Sequence, residues 1–450
     1  GARLDRLPDC RWHSSMFAIV AFGLLVCWSN AVGGLILAQL KALGWTDNST
    51  TATFSAITTA GMFLGALVGG IIGDKTGRRN AFILYEAIHI ASMVVGAFSP
   101  NMDFLIACRF VMGVGLGALL VTLFAGFTEY MPGRNRGTWS SRVSFIGNWS
   151  YPLCSLIAMG LTPLISAEWN WRVQLLIPAI LSLIATALAW RYFPESPRWL
   201  ESRGRYQEAE KVMRSIEEGV IRQTGKPLPP VVIADDGKAP QAVPYSALLT
   251  GVLLKRVILG SCVLIAMNVV QYTLINWLPT IFMTQGINLK DSIVLNTMSM
   301  FGAPFGIFIA MLVMDKIPRK TMGVGLLILI AVLGYIYSLQ TSMLLITLIG
   351  FFLITFVYMY VCYASAVYVP EIWPTEAKLR GSGLANAVGR ISGIAAPYAV
   401  AVLLSSYGVT GVFILLGAVS IIVAIAIATI GIETKGVSVE SLSIDAVANK

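Results

Sequence analysis

The sequence predicts an all-α integral membrane protein of twelve transmembrane helices in two pseudo-symmetric six-helix bundles. Three observations predict it: a shortage of charge, a series of long apolar stretches, and two polar signatures that each occur twice. Hydrophobic residues make up 56% of the 450-residue chain and charged residues only 12%. Soluble domains carry about 25% charged residues, so a chain this poor in charge cannot cover its own surface in water. Bilayer is the better solvent. Stretches 16–40, 322–339 and 409–430 are nearly free of charge and long enough to cross a hydrocarbon core, which takes roughly 20 residues.

Hydropathy along the chain gives spans at 16–40, 52–73, 81–99, 104–128, 141–163, 173–193, 255–283, 292–314, 321–339, 342–368, 381–405 and 409–431. No small-residue cleavage site follows the first, so it reads as a mature helix and not a signal peptide. The chain begins without Met, so a preceding piece is expected to be missing or replaced. Between the sixth and seventh spans lies the one long polar region. Its part at 205–222 has a charge-laced helical pattern with Glu208, Glu210, Lys211 and Arg214. Its part at 223–243 is rich in Pro, Gly and Asp and reads as a linker. The expected division is therefore an N-terminal bundle at 1–193, a cytoplasmic loop with short helices at 194–254, and a C-terminal bundle with a cytoplasmic tail at 255–450.

A net charge of +9 raises the question of nucleic acid, and the distribution of that charge answers it. Basic residues gather in short connections on one predicted side: Lys75, Arg78 and Arg79; Arg134, Arg136 and Arg142; Lys316, Arg319 and Lys320; Lys378 and Arg380. That is the positive-inside pattern, and it places both termini and the long loop in the cytoplasm. Nucleic acid is not an expected partner, and the lipid bilayer is. Cys27, Cys108, Cys154, Cys262 and Cys362 fall inside apolar spans with no disulfide or metal spacing, so neither a metal nor a cofactor is expected.

Internal repetition organises the rest. Asp74, Arg78 and Arg79 follow the second span, and Asp315, Arg319 and Lys320 follow the eighth, with 241 residues between the two aspartates. Glu129, Pro132 and Arg136 follow the fourth span, and Glu371, Pro374 and Arg380 follow the tenth, with 242 residues between the two glutamates. Two unrelated signatures at nearly one offset mark parallel repeats, related by an axis along the membrane normal.

These residues resemble the major facilitator superfamily, in its sugar-porter and organic-ion (aromatic-acid, niacin-like) metabolite:proton symporter branch. The stretch Pro194-Glu195-Ser196-Pro197-Arg198-Trp199-Leu200 is similar to that branch's central signature, and Ile432-Glu433-Thr434-Lys435-Gly436 to its C-terminal one. Arg109 with Gly113, Gly115 and Gly117 is similar to its fourth-helix pattern. The resemblance covers nearly the whole chain. It implies a major facilitator fold in a bacterial inner membrane, a small solute and a proton as partners, a monomer, and no enzymatic activity. It also implies a cytoplasmic gate formed by Asp74, Arg78, Arg79, Glu129, Arg136, Glu195, Arg198, Asp315, Arg319, Glu371 and Arg380, with Glu371 spaced to meet Arg380. The alternative is that these groups only orient helices against the headgroups.

Ionisable side chains inside a span are expensive, so each is a functional hypothesis. Arg390 in the eleventh span lies seven residues before Pro397, with no acid nearby in that span. A basic residue is similarly placed in animal organic-anion transporters, so the resemblance implies a small organic anion. A guanidinium is always charged and matches a carboxylate with two parallel hydrogen bonds. The alternative is neutralisation by a carboxylate on another helix. Arg109 resembles the fourth-helix arginine that proton-coupled sugar porters pair with a first-helix aspartate. The first span here reads Val26-Cys27-Trp28-Ser29-Asn30-Ala31 and has no carboxylate. Arg109 therefore either helps to hold an anion or packs. Glu86 and His89 lie one helical turn apart and are either coupling residues, with a histidine able to titrate near neutrality, or a hydrogen-bonded pair between helices.

Aromatic and amide residues complete the candidate substrate site: Trp28, Asn30, Trp149, Asn268, Gln271, Tyr272, Tyr363 and Asn386. Asn30 and Gln271 are separated by the repeat offset of 241. The leading substrates are aromatic or heteroaromatic carboxylates such as nicotinate, or sugar acids. A neutral sugar or polyol is the second reading, supported by the loop signatures and the amides. A solute receptor is the third. No H-E-x-x-H, G-x-S-x-G or phosphate-loop motif is present to suggest catalysis.

Overall fold

The computed structural model describes residues 2–132, 136–232, 244–374 and 377–435; at 124–129, 136, 137, 378 and 379 it describes the backbone alone. Among the described residues the regular structure is helical throughout. Nine helical segments among them are long and apolar enough to cross a membrane. The count rises to twelve because two spans are interrupted and two are joined. The first span is two helices, Arg11–Val26 and Gly33–Ala42. The fifth is Arg136–Asn148 followed by Ser150–Leu161. The eleventh and twelfth follow one another within Lys378–Ile430, broken at Gly408 with φ 72° and ψ −160°, a conformation that costs glycine little and other residues much.

The repeat is visible in the packing. In the second span, Asn48–Thr76, a Cβ added to Gly61 would stand 2.5 Å from the Phe110 carbonyl oxygen, and one on Gly65 2.1 Å from that of Val114. In the eighth span, a Cβ on Gly302 would stand 2.6 Å from the Phe351 carbonyl oxygen, and one on Gly306 2.4 Å from that of Thr355. All four residues of the first set map onto the second at 241 residues. Backbones pressed together through small residues are how helices associate where lipid is as apolar as leucine.

By compactness the described chain forms two units: Gly1–Asn30 with Ala60–Ser150 and Arg172–Gly237, and Ala31–Thr59 with Tyr151–Trp171 and Lys238–Lys450. The second unit thus takes in the ends of the first, second and fifth spans remote from the Asp74 loop. Within it, a Cβ on Gly34 would stand 2.2 Å from the Ile275 carbonyl oxygen. Asn48 Nδ2 donates to Ser405 Oγ at 3.0 Å, and the hydroxyls of Ser155 and Thr297 share a hydrogen bond of 2.7 Å.

In the first unit the charge-laced loop segment is the helix Tyr206–Thr224, ended by Gly225 in the left-handed region at φ 64°. Its apolar stripe, Met213, Ile216 and Val220, is buried against Leu4 and Leu7 of the N-terminal segment. Glu217 binds both Arg3 at 2.7 Å and Arg6 at 2.8 Å. The hydrogen bond from Arg3 holds the Glu217 carboxyl below its ordinary range, against partial burial and with help from Arg6.

Candidate substrate and coupling sites

In the second unit the seventh span, Gly251–Thr284, meets the eleventh where the latter has no side chain in the way. A Cβ on Gly389 would lie 2.9 Å from Asn268 Nδ2, and one on Gly393 3.7 Å from Asn268 Cβ and Tyr272 Cδ2. Arg390 stands between these two glycines, half-buried. Its Nη1 donates to the Tyr272 hydroxyl at 2.7 Å. None of the ion pairs among the described residues includes Arg390. Asn268 is 2% exposed; its Nδ2 donates to the Leu264 carbonyl at 2.8 Å, while Oδ1 has no partner. Gln271 lies within reach of the phenols of Tyr151 and Tyr358, whose rings are 5.3 Å apart. A fixed cation, one free amide oxygen and phenols on otherwise apolar helices make a strip suited to a small ligand with one charged and one planar or hydroxylated end.

Asn386 is exposed, one helical turn from Arg390, and its Nδ2 donates to the Ser382 carbonyl at 2.8 Å. Tyr363 lies elsewhere. It is fully buried in the π-helical turn Tyr363–Tyr368, stacked on Tyr368 at 5.1 Å and beside Tyr360 at 5.8 Å. Its surroundings are aromatic core. In the first unit Trp28 is buried, Asn30 half-buried, and Trp149 half-buried at the break between the two fifth-span helices.

The three ionisable residues inside the N-terminal spans come together at the break in the first span. Leaving the helix at Val26 frees backbone groups that lipid cannot satisfy. The Arg109 guanidinium, 1% exposed, donates to the Ser29 carbonyl. The Ser29 hydroxyl is 2.7 Å from His89 Nε2, and Cys27 Sγ approaches Glu86 Oε1 at 3.9 Å. Glu86 and His89 are both fully buried, and Glu86 Oε2 and His89 Nδ1 have no hydrogen-bond partner. Gly115 of the fourth span makes room for His89, whose Cα would be 3.2 Å from a Cβ there.

On the motif side each unit carries the same device. Asp74 pairs with Arg78 at 2.8 Å and Asp315 with Arg319 at 3.3 Å. Glu195 accepts the backbone N–H of Arg78 at 2.8 Å and of Arg79 at 3.3 Å, capping the third span. Glu433 accepts those of Arg319 at 2.8 Å and Lys320 at 3.3 Å, capping the ninth. Burial alone would raise the Glu433 carboxyl; the N–H groups of Arg319, Lys435 and Lys320 outweigh it and hold the group below its usual range. The Tyr130 hydroxyl donates to the Pro194 carbonyl as that of Tyr368 does to Ile432. The Arg79 guanidinium donates to the Trp190 carbonyl, and Arg198 pairs with Asp5 at 3.1 Å. Glu371 binds Arg319 at 3.1 Å and accepts from Thr434 at 2.7 Å. Arg380, which the spacing paired with Glu371, lies instead over the Tyr245 ring at 4.9 Å. The side chains of Glu129 and Arg136 lie outside the described residues.

Ser29, Tyr151 and Tyr358 join these sites without having been singled out in the sequence. Their signal was faint: hydroxyls carry no charge, and only the neighbouring Trp28, Asn30 and Trp149 marked the first two.

A polytopic helical protein built from parallel repeats, with charged groups buried in its spans, has the architecture of a secondary transporter. The chain belongs to the Major Facilitator Superfamily, whose sequence model matches residues 17–397. It is 44% identical over 446 residues to the inner membrane metabolite transport protein YdjE of Escherichia coli, covering 98% of each chain. It is 26% identical over 448 residues to the niacin transporter NiaP of Acinetobacter baylyi, covering 98% of this chain and 99% of that one. The solved inward-open structure of the xylose transporter XylE from E. coli shares the fold with a TM-score of 0.75 at 16% identity, over 96% of this chain and 99% of that one.

Proposed function

We propose that this major facilitator transporter carries a small organic anion across a bacterial inner membrane by alternating access with proton coupling. The best candidates are an aromatic or heteroaromatic carboxylate such as nicotinate, or a sugar acid. The observation that carries the reading is Arg390, a guanidinium within a span that is bonded to a neutral phenol and to no carboxylate among the described residues. It leaves a charge for the ligand to match. A relative that transports niacin supports the same ligand chemistry, and the inner-membrane relative supports the location.

Proton coupling follows from charge. Bringing one uncompensated anion into an inside-negative compartment costs about 2.3 kcal/mol per 100 mV. One monocarboxylate with one proton is neutral and avoids that cost. The second reading, a neutral sugar or polyol, is favoured by Asn268 and Gln271, whose amides suit hydroxyl groups. It would leave the Arg390 charge unmatched in the bound state.

Thermal unfolding of the purified protein with nicotinate, a hydroxybenzoate, a sugar acid, arabinose and an organic cation separates these readings. A ligand at a hundred times its Kd stabilises by about 2.7 kcal/mol. Stabilisation by carboxylates alone is expected. Stabilisation by arabinose and by no carboxylate would replace the anion with a sugar.

A further inference from the structure

We infer that Glu86 carries the coupling proton beside the break in the first span. The inference rests on the proton-coupled transport proposed above. Glu86 is fully buried within the third span, and none of the ion pairs among the described residues includes it. A carboxylate without a cation in that position pays several kcal/mol, so the neutral acid is the form this packing accommodates. Oε1 faces the Cys27 thiol at 3.9 Å, and Oε2 has no partner.

The groups around Glu86 define what happens when the proton leaves. From the first span comes the Cys27 thiol, while Arg109 of the fourth binds the Ser29 carbonyl two residues beyond Cys27 and is not recorded against Glu86. On its own span are His89, bonded to the Ser29 hydroxyl, and Tyr85, whose hydroxyl donates to the Gly69 carbonyl of the second span. Arg109 is the permanent cation of this set. While Glu86 is protonated, Arg109 satisfies the carbonyl that the broken helix leaves open. Once Glu86 releases its proton, a carboxylate stands in this pocket with only the Cys27 thiol recorded against it, and the cost of that uncompensated charge ties proton release to a rearrangement beside the break in the first span.

Two measurements on the full chain test this. The first needs no substrate: infrared difference spectra of the protein in lipid, recorded on a pH step. A protonated-carboxyl band at neutral pH that disappears in Glu86→Gln is expected, and its persistence in that variant overturns the assignment. The second uses radiolabelled nicotinate in proteoliposomes with an acid exterior. Wild type should accumulate it by roughly tenfold per pH unit for one proton per anion, while Glu86→Gln should only equilibrate it, with counterflow unchanged. Glu86→Asp should regain accumulation with a shifted pH profile. Accumulation by Glu86→Gln equal to wild type overturns the proposal. So does loss of counterflow along with accumulation that Glu86→Asp does not restore, since that marks a structural role. If wild type moves no nicotinate, the substrate reading fails, and the infrared band alone decides for or against Glu86.

Discussion

At Arg390 a guanidinium meets a phenol where a carboxylate would have cancelled it. The phenol orients the fork without neutralising it, leaving further N–H donors for a ligand. Tyr272→Phe should therefore keep the charge and lose its aim. Hydrogen bonds to charged groups contribute roughly 1.5–3 kcal/mol, so nicotinate affinity should fall by roughly ten- to a hundredfold in calorimetric titration, and an unchanged affinity would separate Tyr272 from the ligand. The ionisable residues were legible in the sequence because a charge in an apolar span stands out whatever face it occupies. Aromatic residues were not. Tyr272 and Tyr363 looked alike there, yet one bonds Arg390 and the other is stacked in the core. The tenth span is apolar on every side, so no periodicity marks which face is inward. Ser29 was overlooked for a related reason: its importance comes from a break in a helix that neither Pro nor a charge announces.

The loop signatures act at the scale of single helices. Glu195 and Glu433 each cap a helix beginning at an Arg, 238 residues apart, while the residues they cap are 241 apart. That small difference, and the sharing of little beyond the Glu, kept the two signatures from being matched in the sequence, whereas the two aspartate loops were plain. Negative charge at a helix N-terminus adds about 0.3–1 kcal/mol. Glu195→Gln and Glu433→Gln should each lower the thermal midpoint, and a drop in only one would deny the equivalence.

The N-terminal helix Ala2–Asp5 offers a test by pH. The Glu217 carboxyl is held low by Arg3 in the folded state, so its contribution is fully present above the unfolded value of about 4.3. It disappears as pH falls through the lower folded value. Amide exchange at Leu4 and Leu7 should quicken below about pH 4, and Glu217→Gln should exchange quickly at neutral pH. The glycine contacts are less forgiving. Alanine at Gly65 or Gly306 would press on a backbone carbonyl that cannot swing away. Overpacking of that kind costs about 1–3 kcal/mol, outweighing the gain in helix propensity, so size-exclusion profiles of both variants should show less folded protein.

Over the whole molecule, symmetry and its failure divide the work. What occurs twice lies at helix contacts and helix ends: the glycine contacts, the Asp–Arg pairs and the glutamate caps recur at nearly one offset. What occurs once is the proposed chemistry. Arg390 stands in the second unit, and the group formed by Glu86, His89, Arg109 and Ser29 in the first. The repeats were legible because polar punctuation between apolar spans is sparse and hard to produce by chance. The compact units were not, because contacts such as Gly34 with Ile275 depend on which ends of the spans pack together. The proposed substrate choice rests on the unsymmetrical part, and above all on one guanidinium. The most direct test is uptake of radiolabelled nicotinate into proteoliposomes by wild type, Arg390→Lys and Arg390→Ala, each checked for folding, with hydroxybenzoate and arabinose as competitors. Uptake by wild type that hydroxybenzoate blocks and arabinose spares is expected, reduced in the lysine variant, which lacks the planar fork, and abolished in the alanine variant. Uptake with an unchanged KM in folded Arg390→Ala would contradict the account.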